Sequence, residues 1–231
     1  MKPNGMARAA AALRLWERRQ EIVANNLANV STTGFKAERA FARAIDDAIP
    51  VPDVATDRRA GSIRPTGQPL DLALGDPDSF FVIQTPNGER LTRGGSFGIG
   101  AHGEVVDSEG NALLTSDGPL VLGPGTVQID GAGGVIVDDR AVARLRVERV
   151  PRGVQLQHEG GTRFLPDPAG TPVAPADRRV LQGQLEDSNV NSMQSMVDMI
   201  EIQRAYTSVQ RAITTLDGIR GTACNDIGKP V

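Results

Sequence analysis

A chain of 231 residues with 25 basic and 28 acidic side chains has a formal net charge of −3 and no Lys/Arg-rich tract, which argues against a nucleic-acid binder. Apolar residues at 39%, with 26 glycines, make up about half the chain, enough for a core and too much for global disorder. The single cysteine, Cys224, excludes an internal disulfide framework and a multi-thiolate metal site, and no stretch reaches the ~18 apolar residues of a membrane span.

The chain starts "MKPNGMARAAAALRLWERRQE", where Arg8, Arg14 and Glu17 interrupt any secretory apolar region. This predicts a cytosolic protein, or one exported by a route that removes no signal peptide. A helix is expected over about Met6–Val30. Its apolar or seam positions, Leu13, Trp16, Gln20, Val23, Leu27 and Val30, alternate steps of three and four, a heptad pattern suited to packing against another helix. Gly34 follows where a left-handed cap is expected. Residues 36–65, with "IPVPD" and "DRRAGS", read as an irregular connection.

From about Thr66 to Gln182 the texture changes to short apolar or alternating runs, "LDLAL", "FFVIQT", "VIVDD", "LRVERV" and "VQLQ" among them, separated by turn residues. This predicts an all-β, sandwich or barrel-like body over 66–185. The clearest hairpin is "FFVIQTPNGERLTRGGSF", with Asn87-Gly88 expected to form a tight primed turn. A second helix is expected over about Asn189–Ile219, with Met199, Ile202, Tyr206, Val209, Ile213 and Leu216 again stepping by three and four. Asp187-Ser188 would supply its N-cap, and Gly218 and Gly221 would bracket its end. The fold class is therefore α+β: an N-terminal helical segment over 1–35, a connection over 36–65, the β body, and a C-terminal helix and tail over 186–231. The two helices are expected to pair in a coiled-coil-like core. Their charges suit this weakly, at +3 over residues 1–30 and −2 over 184–220.

Asparagines crowd both helical ends: Asn25, Asn26 and Asn29 at one, Asn189 and Asn191 at the other. A polar residue in a helix seam costs stability but fixes register and partner number. Periodicity leaves two readings open. Either the helices order only when several copies pack together, or they dock on the body with these asparagines facing solvent.

Other constellations point to turns and packing. Asp71, Asp76 and Asp78 lack the spacing of a calcium loop, and these, like Asp138-Asp139, read as turn or surface carboxylates. "GSFGIGAHG" and "DGAGG" lack the Lys-Ser/Thr and the helix of a phosphate loop. His102 and His158 have no partner motif, and Met193, Met196 and Met199 read as helix packing.

Three stretches carry a family resemblance. "ANNLANVSTTGFKAE" resembles the N-terminal signature of the bacterial flagellar axial proteins, the rod and hook family. "TGQPLDLALGDPDSFFVIQTPNGERLTRGGSF" resembles its body motif, and "VLQGQLEDSNVNSMQSMVDMIEIQRAYTSVQRAI" its C-terminal motif. They follow the family's order and cover more than half of the chain. "GDPDSFF" replaces the family's usual Gly-Asp-Gly-Phe-Phe turn, and "TACNDIGKPV" runs past the family's common helix end. The modest body and the short interval between Gly34 and Gly67 fit the proximal rod protein best.

The resemblance implies a structural subunit of the basal-body rod in the periplasm, polymerising helically with itself and with other rod and hook proteins. It also implies export by the flagellar type III apparatus without signal cleavage. It implies no enzymatic activity, cofactor, metal, nucleic acid or small-molecule substrate. The expected assembly interface is Leu13, Trp16, Val23, Asn25, Asn26, Leu27, Asn29, Val30, Asn189, Met199, Ile202, Tyr206, Val209, Ile213 and Leu216. The alternatives are a distal rod or hook-type protein, a periplasmic cell-wall hydrolase, and a monomeric secreted β-binding module.

Overall fold

The strand Ser79–Thr85, "SFFVIQT", is buried along nearly its whole length. Successive strand side chains point to opposite faces, so a run this apolar has to be covered on both. In the computed structural model, which describes residues 5–43, 51–167 and 170–227, two apolar clusters meet that need. Phe81 and Ile83 join Leu72, Leu113, Leu145 and Val147 in one, and Phe80 and Val82 join Leu91, Leu114, Leu156 and Phe164 in the other. Edge-to-face ring pairs, Phe81–Phe97 and Phe80–Phe164, each with centroids 5.8 Å apart, add one contact to each cluster. Cys224's side chain and the 228–231 end of the expected tail lie outside the described residues, as does the start before Gly5.

Strand Ser79–Thr85 lies inside a ten-stranded sheet, antiparallel to Gly88–Thr92 on one side and to Ala112–Thr115 and Val147–Arg149 along its other edge. Smaller sheets surround it. Val127–Ile129, Gly134–Val137 and Arg140–Arg144 form a three-stranded meander, Leu72–Leu74 pairs with Val180–Gln182, and Ile63–Pro65 pairs with Gln184–Glu186. With a helix near each end of the chain, the class is α+β with a β body, as expected.

The hairpin after Ser79–Thr85 turns differently from expectation. Thr85 pairs with Gly88, so Pro86 and Asn87 occupy the corner, and Gly88 alone takes positive φ, +103°. Proline fixes a negative φ, which forbids the primed turn and selects a corner closed by a left-handed glycine. Thr85 braces it: its Oγ accepts the Asn87 N–H at 3.3 Å and donates to the Gly88 carbonyl at 2.7 Å. Thr115 repeats both bonds around Ser116-Asp117-Gly118.

The helices are α1, Gly5–Ala28, and α2, Ser192–Ile227. α1 is driven by its run of Ala, Leu, Arg, Glu and Gln and ends among the asparagines, poorer helix formers. α2 corrects two expectations. Its N-cap is Asn191, whose Oδ1 accepts the Gln194 N–H at 3.0 Å, rather than Asp187-Ser188. It also runs through Gly218 and Gly221, because neither adopts the left-handed conformation that closes a helix. An interior glycine costs only about 1 kcal/mol and does not stop a helix by itself.

The connection over 36–65 is corrected too. It holds Glu38–Arg43 and Val51–Thr56, which pair with each other, and Ile63–Pro65, whose partner is distant in sequence. The chain divides into two compact units. The helical unit contains α1, the strand pair within 38–55, and α2 from Asn191. The body contains 29–37 and 56–190. Among the described residues no helix is long and apolar enough to cross a membrane.

Candidate assembly interface

Within the helical unit α1 and α2 lie against each other, and the Tyr206 hydroxyl meets Glu17 Oε1 at 3.2 Å. Ile202 is buried, and Met199, Tyr206, Val209 and Ile213 are half-buried; Leu216 is exposed. On α1 the expected positions Leu13, Trp16, Val23 and Leu27 are half-buried, with the Arg19 guanidinium 5.1 Å from the Trp16 ring. Among the described side chains of α1 the buried ones are Ala11, Ile22 and Asn26, a line slightly displaced from the heptad stripe. α2 also leaves apolar surface open. Met193 is 77% exposed, and Met196, Val197 and Ile200 share one helix face with it at about half exposure.

The asparagines do separate jobs. Asn26 faces the backbone of Glu38, donating from Nδ2 to its carbonyl at 2.8 Å and accepting its N–H at 2.9 Å. It thus continues the ladder of strand Glu38–Arg43 with a side chain, inside the helical unit. Burial pushes the Glu38 carboxyl above its ordinary pKa, with Arg18 opposing. Asn25 is exposed on the same helix. Asn29 and Val30, both half-buried, come after the helix and cluster with the body. There the Asn29 carbonyl accepts the Thr32 N–H at 3.1 Å, and its Oδ1 accepts the Thr32 hydroxyl, also at 3.1 Å.

Asn189 precedes α2 and belongs to the body. Its Oδ1 accepts the Ala37 N–H at 2.7 Å, and its Nδ2 donates to the carbonyls of Asp57 at 2.8 Å and Arg59 at 2.9 Å. One side chain therefore joins three segments of the body that adjoin its connections to the helical unit.

Beside it lies a buried charge trio that the sequence reading missed. Lys36, Arg93 and Glu186 each expose about 1% of their side chains. Lys36 Nζ donates to Glu186 Oε1 at 2.6 Å and to the Arg59 carbonyl at 2.8 Å. Arg93 Nε donates to Glu186 Oε2 at 2.8 Å, and its Nη2 also reaches that oxygen. The surplus positive charge is absorbed by carbonyls, since the Arg93 Nη atoms donate to those of Asp76, Ser79 and Leu74. Burial lowers the Lys36 pKa, with Glu186 opposing. Burial alone would raise the Glu186 carboxyl, but Arg93 and Lys36 outweigh it and hold it below its ordinary value. Gly34 closes the arrangement at φ +73°, its N–H donating to the Glu186 carbonyl at 2.7 Å. A Cβ there would sit 2.2 Å from the Arg93 carbonyl oxygen, so only glycine fits.

Other expected residues fall in turns. Asp76 accepts the Asp78 N–H and the Ser79 hydroxyl, pairs with Arg149, and closes the unusual "GDPDSFF" loop as an ordinary turn. Asp138 and Asp139 take φ of 46° and 63° at a hairpin corner. Among the described residues no group of three or more His, Cys, Asp or Glu is placed to hold a metal ion.

These two units, one of paired helices and one of sheet, belong to a chain with close relatives. Residues 5–36 match the family model described as flagella basal body rod protein, and 181–225 match that of the C-terminal region of the flagellar basal body rod FlgEFG proteins. The flagellar basal-body rod protein FlgF of Caulobacter vibrioides is 33% identical, covering 92% of this chain and 93% of its own. FlgF of Escherichia coli is 32% identical over 88% of this chain and 90% of its own. The rod protein FlgG of Borreliella burgdorferi is 30% identical, with 94% and 96% covered. The chain belongs to the flagellar basal-body rod protein family, and its role is that of a structural rod subunit.

Proposed function

We propose that this subunit is of the proximal rod type and polymerises helically through α1 and α2, in coiled-coil-like packing with the helices of neighbouring copies and of other rod and hook proteins. The assembly segments are 1–35 and 186–231, and the body over 66–185 makes the lateral contacts. Growth is heterologous and open, so each added subunit presents the surface that receives the next. Export by the flagellar type III apparatus without signal cleavage, and a purely mechanical role with no catalytic step, complete the reading. One observation carries it: the open apolar face of Met193, Met196, Val197 and Ile200 on α2. At ~25 cal/mol per Å², covering these side chains stabilises assembly by roughly 1–2 kcal/mol apiece.

Met196→Asp tests this better than a change at Ile202, which is already buried in the single copy. In the isolated chain Met196→Asp should shift unfolding by no more than about 0.5 kcal/mol, as is usual at an exposed site. In cells whose only copy carries it, electron microscopy of basal bodies should show rods missing or truncated, because burying an unpaired carboxylate costs several kcal/mol. Normal rods from this variant would sink the assignment of that face.

A further inference from the structure

Three of the chain's five methionines, Met193, Met196 and Met199, stand three residues apart in the first turns of α2. They differ in cover. Met193 and Met196 share the open face with Val197 and Ile200 and are 77% and 52% exposed. Met199 lies round the helix toward Ser195 and Ile202, both buried, and is itself half-buried. One residue type thus occurs open and sheltered within a short stretch of a single helix.

A thioether is apolar and polarisable, which suits it to an adaptable packing surface, and it is also open to two-electron oxidation. The step moves one oxygen atom. The sulfur lone pair attacks a peroxide oxygen, an S–O bond forms as the O–O bond breaks, and with hydrogen peroxide the second oxygen departs with both protons as water. Sulfur gives up two electrons and the peroxide gains them. A polar acceptor then stands where an apolar side chain stood. Its neighbours on the open face, Val197 and Ile200, offer no side-chain donor. The one charged residue of 192–200, Asp198, is itself an acceptor and already receives the Gln194 Nε2 at 2.8 Å. In the single copy water hydrates the sulfoxide. Covered by an apolar surface, it becomes an unpaired polar group.

We propose that Met193 and Met196 are oxidation sites for a peroxide, and that their conversion to sulfoxides closes the open face of α2 to assembly while the chain stays folded. The sites stand on the exposure of the two side chains; the effect on assembly rests on the reading of that face as an assembly surface. Met199 is the internal control, with the same chemistry on the same helix under different cover.

The test uses the full chain and hydrogen peroxide, with the oxygen gained at each methionine read by peptide mass mapping. In the folded chain Met193 and Met196 should oxidise roughly threefold or more faster than Met199, and in urea the three rates should converge. Trp16 fluorescence should not change on oxidation, because the covered side of α2 is untouched. Self-association, followed by light scattering, should weaken about tenfold or more and return after treatment with methionine sulfoxide reductases. In cells, peroxide should lower the number of rods, each strain counted against its own untreated cells. Combining Met193→Leu with Met196→Leu should cut that fractional loss by about threefold or more, since leucine takes no oxygen. Equal rates in the folded chain overturn the sites. A change in Trp16 fluorescence, self-association indifferent to oxidation, or an equal fractional loss of rods in the leucine pair overturns the effect on assembly. Should the leucine pair build no rods, the purified chain decides. If the reduced chain does not self-associate and Met196→Asp builds normal rods, the assembly reading has failed and the switch with it, while the peptide maps still decide the oxidation sites.

Discussion

Strand Ser79–Thr85 and helix α2 are both rich in apolar side chains, yet the strand is covered on both faces and the helix on one. Phe80, Phe81, Val82 and Ile83 are fully buried between two clusters of the body, whereas Met193, Met196, Val197, Ile200 and Ile219 on α2 stay open to solvent. The body also satisfies the buried charges of Lys36 and Arg93 internally, through carbonyls and the Glu186 carboxylate. The body exposes single apolar side chains too, Ile99, Val121 and Val142 among them, whereas on α2 Met193, Met196, Val197 and Ile200 lie together on one helix face. Burial in the single copy, rather than apolar content, separates the central strand from the α2 face to which the proposed assembly contact is assigned.

The sharpest way to break this contrast is to make the body incomplete. Glu186→Leu leaves Lys36 and Arg93 buried with no counter-charge, which should destabilise the body by about 3–5 kcal/mol. Replacing all three, as Lys36→Met, Arg93→Met and Glu186→Leu, should recover most of that loss, because an apolar trio needs no compensation. The chain's only Trp and Tyr, Trp16 and Tyr206, both lie in the helical unit, so fluorescence follows that unit and hydrogen exchange of the strands follows the body. A single variant as stable as the parent would mean that water reaches the trio.

A smaller effect comes from acid. His158 packs between the rings of Phe35 and Phe164, at 5.3 and 4.6 Å, and its Nε2 has no hydrogen-bond partner among the described residues. Burial lowers its pKa from 6.5 to about 4. As pH falls below 6.5 the unfolded chain takes up the proton before the folded one does. Stability is therefore complete above pH 6.5 and drains away down to about 4. Partial exposure trims the linkage to roughly 2–3 kcal/mol. His158→Phe should flatten the body's stability profile between pH 6.5 and 4, leaving the further loss expected below 4.5, where Glu186 gains its proton. Persistence of the full slope in that variant would place the titrating group elsewhere.

How much of this could be read in advance follows the same division. Helix α1, helix α2 and the hairpin strands flanking Pro86-Asn87 announce themselves by local period, because their spacing is set within a few residues. The pairing of Ile63–Pro65 with Gln184–Glu186 has no such signature, and neither does the meeting of Lys36 with Glu186 across the chain. Lys36 lies in "TTGFKAE" and Arg93 in the expected hairpin "GERLTRGGSF", and neither stretch carries a local signal of their meeting. Asn189 drew notice as a helix-seam residue and stands before the helix, tying backbone segments of the body. Gly218 and Gly221 looked like stops because glycine ends many helices, but a stop also requires a left-handed turn and something to reward it.

The finest test lies at a surface corner of the body. Asp138 and Asp139 both hold positive φ between strands Gly134–Val137 and Arg140–Arg144, the conformation of a primed two-residue turn. Asp138 has a reason to remain, because its Oδ1 accepts the Thr126 N–H at 2.9 Å. Asp139, at φ 63°, bears the left-handed strain, and among the described residues its side chain makes no such bond. Asp139→Gly converts the corner to Asp-Gly, the sequence such turns favour. Relief of strain should exceed the added freedom of the unfolded chain, for a gain of about 0.5–1 kcal/mol in body stability. Exchange of the 127–144 strands should slow accordingly while Trp16 fluorescence stays unchanged, since the turn and the helix belong to different units. A loss of stability instead would show that the Asp139 carboxylate contributes more than its backbone strain costs.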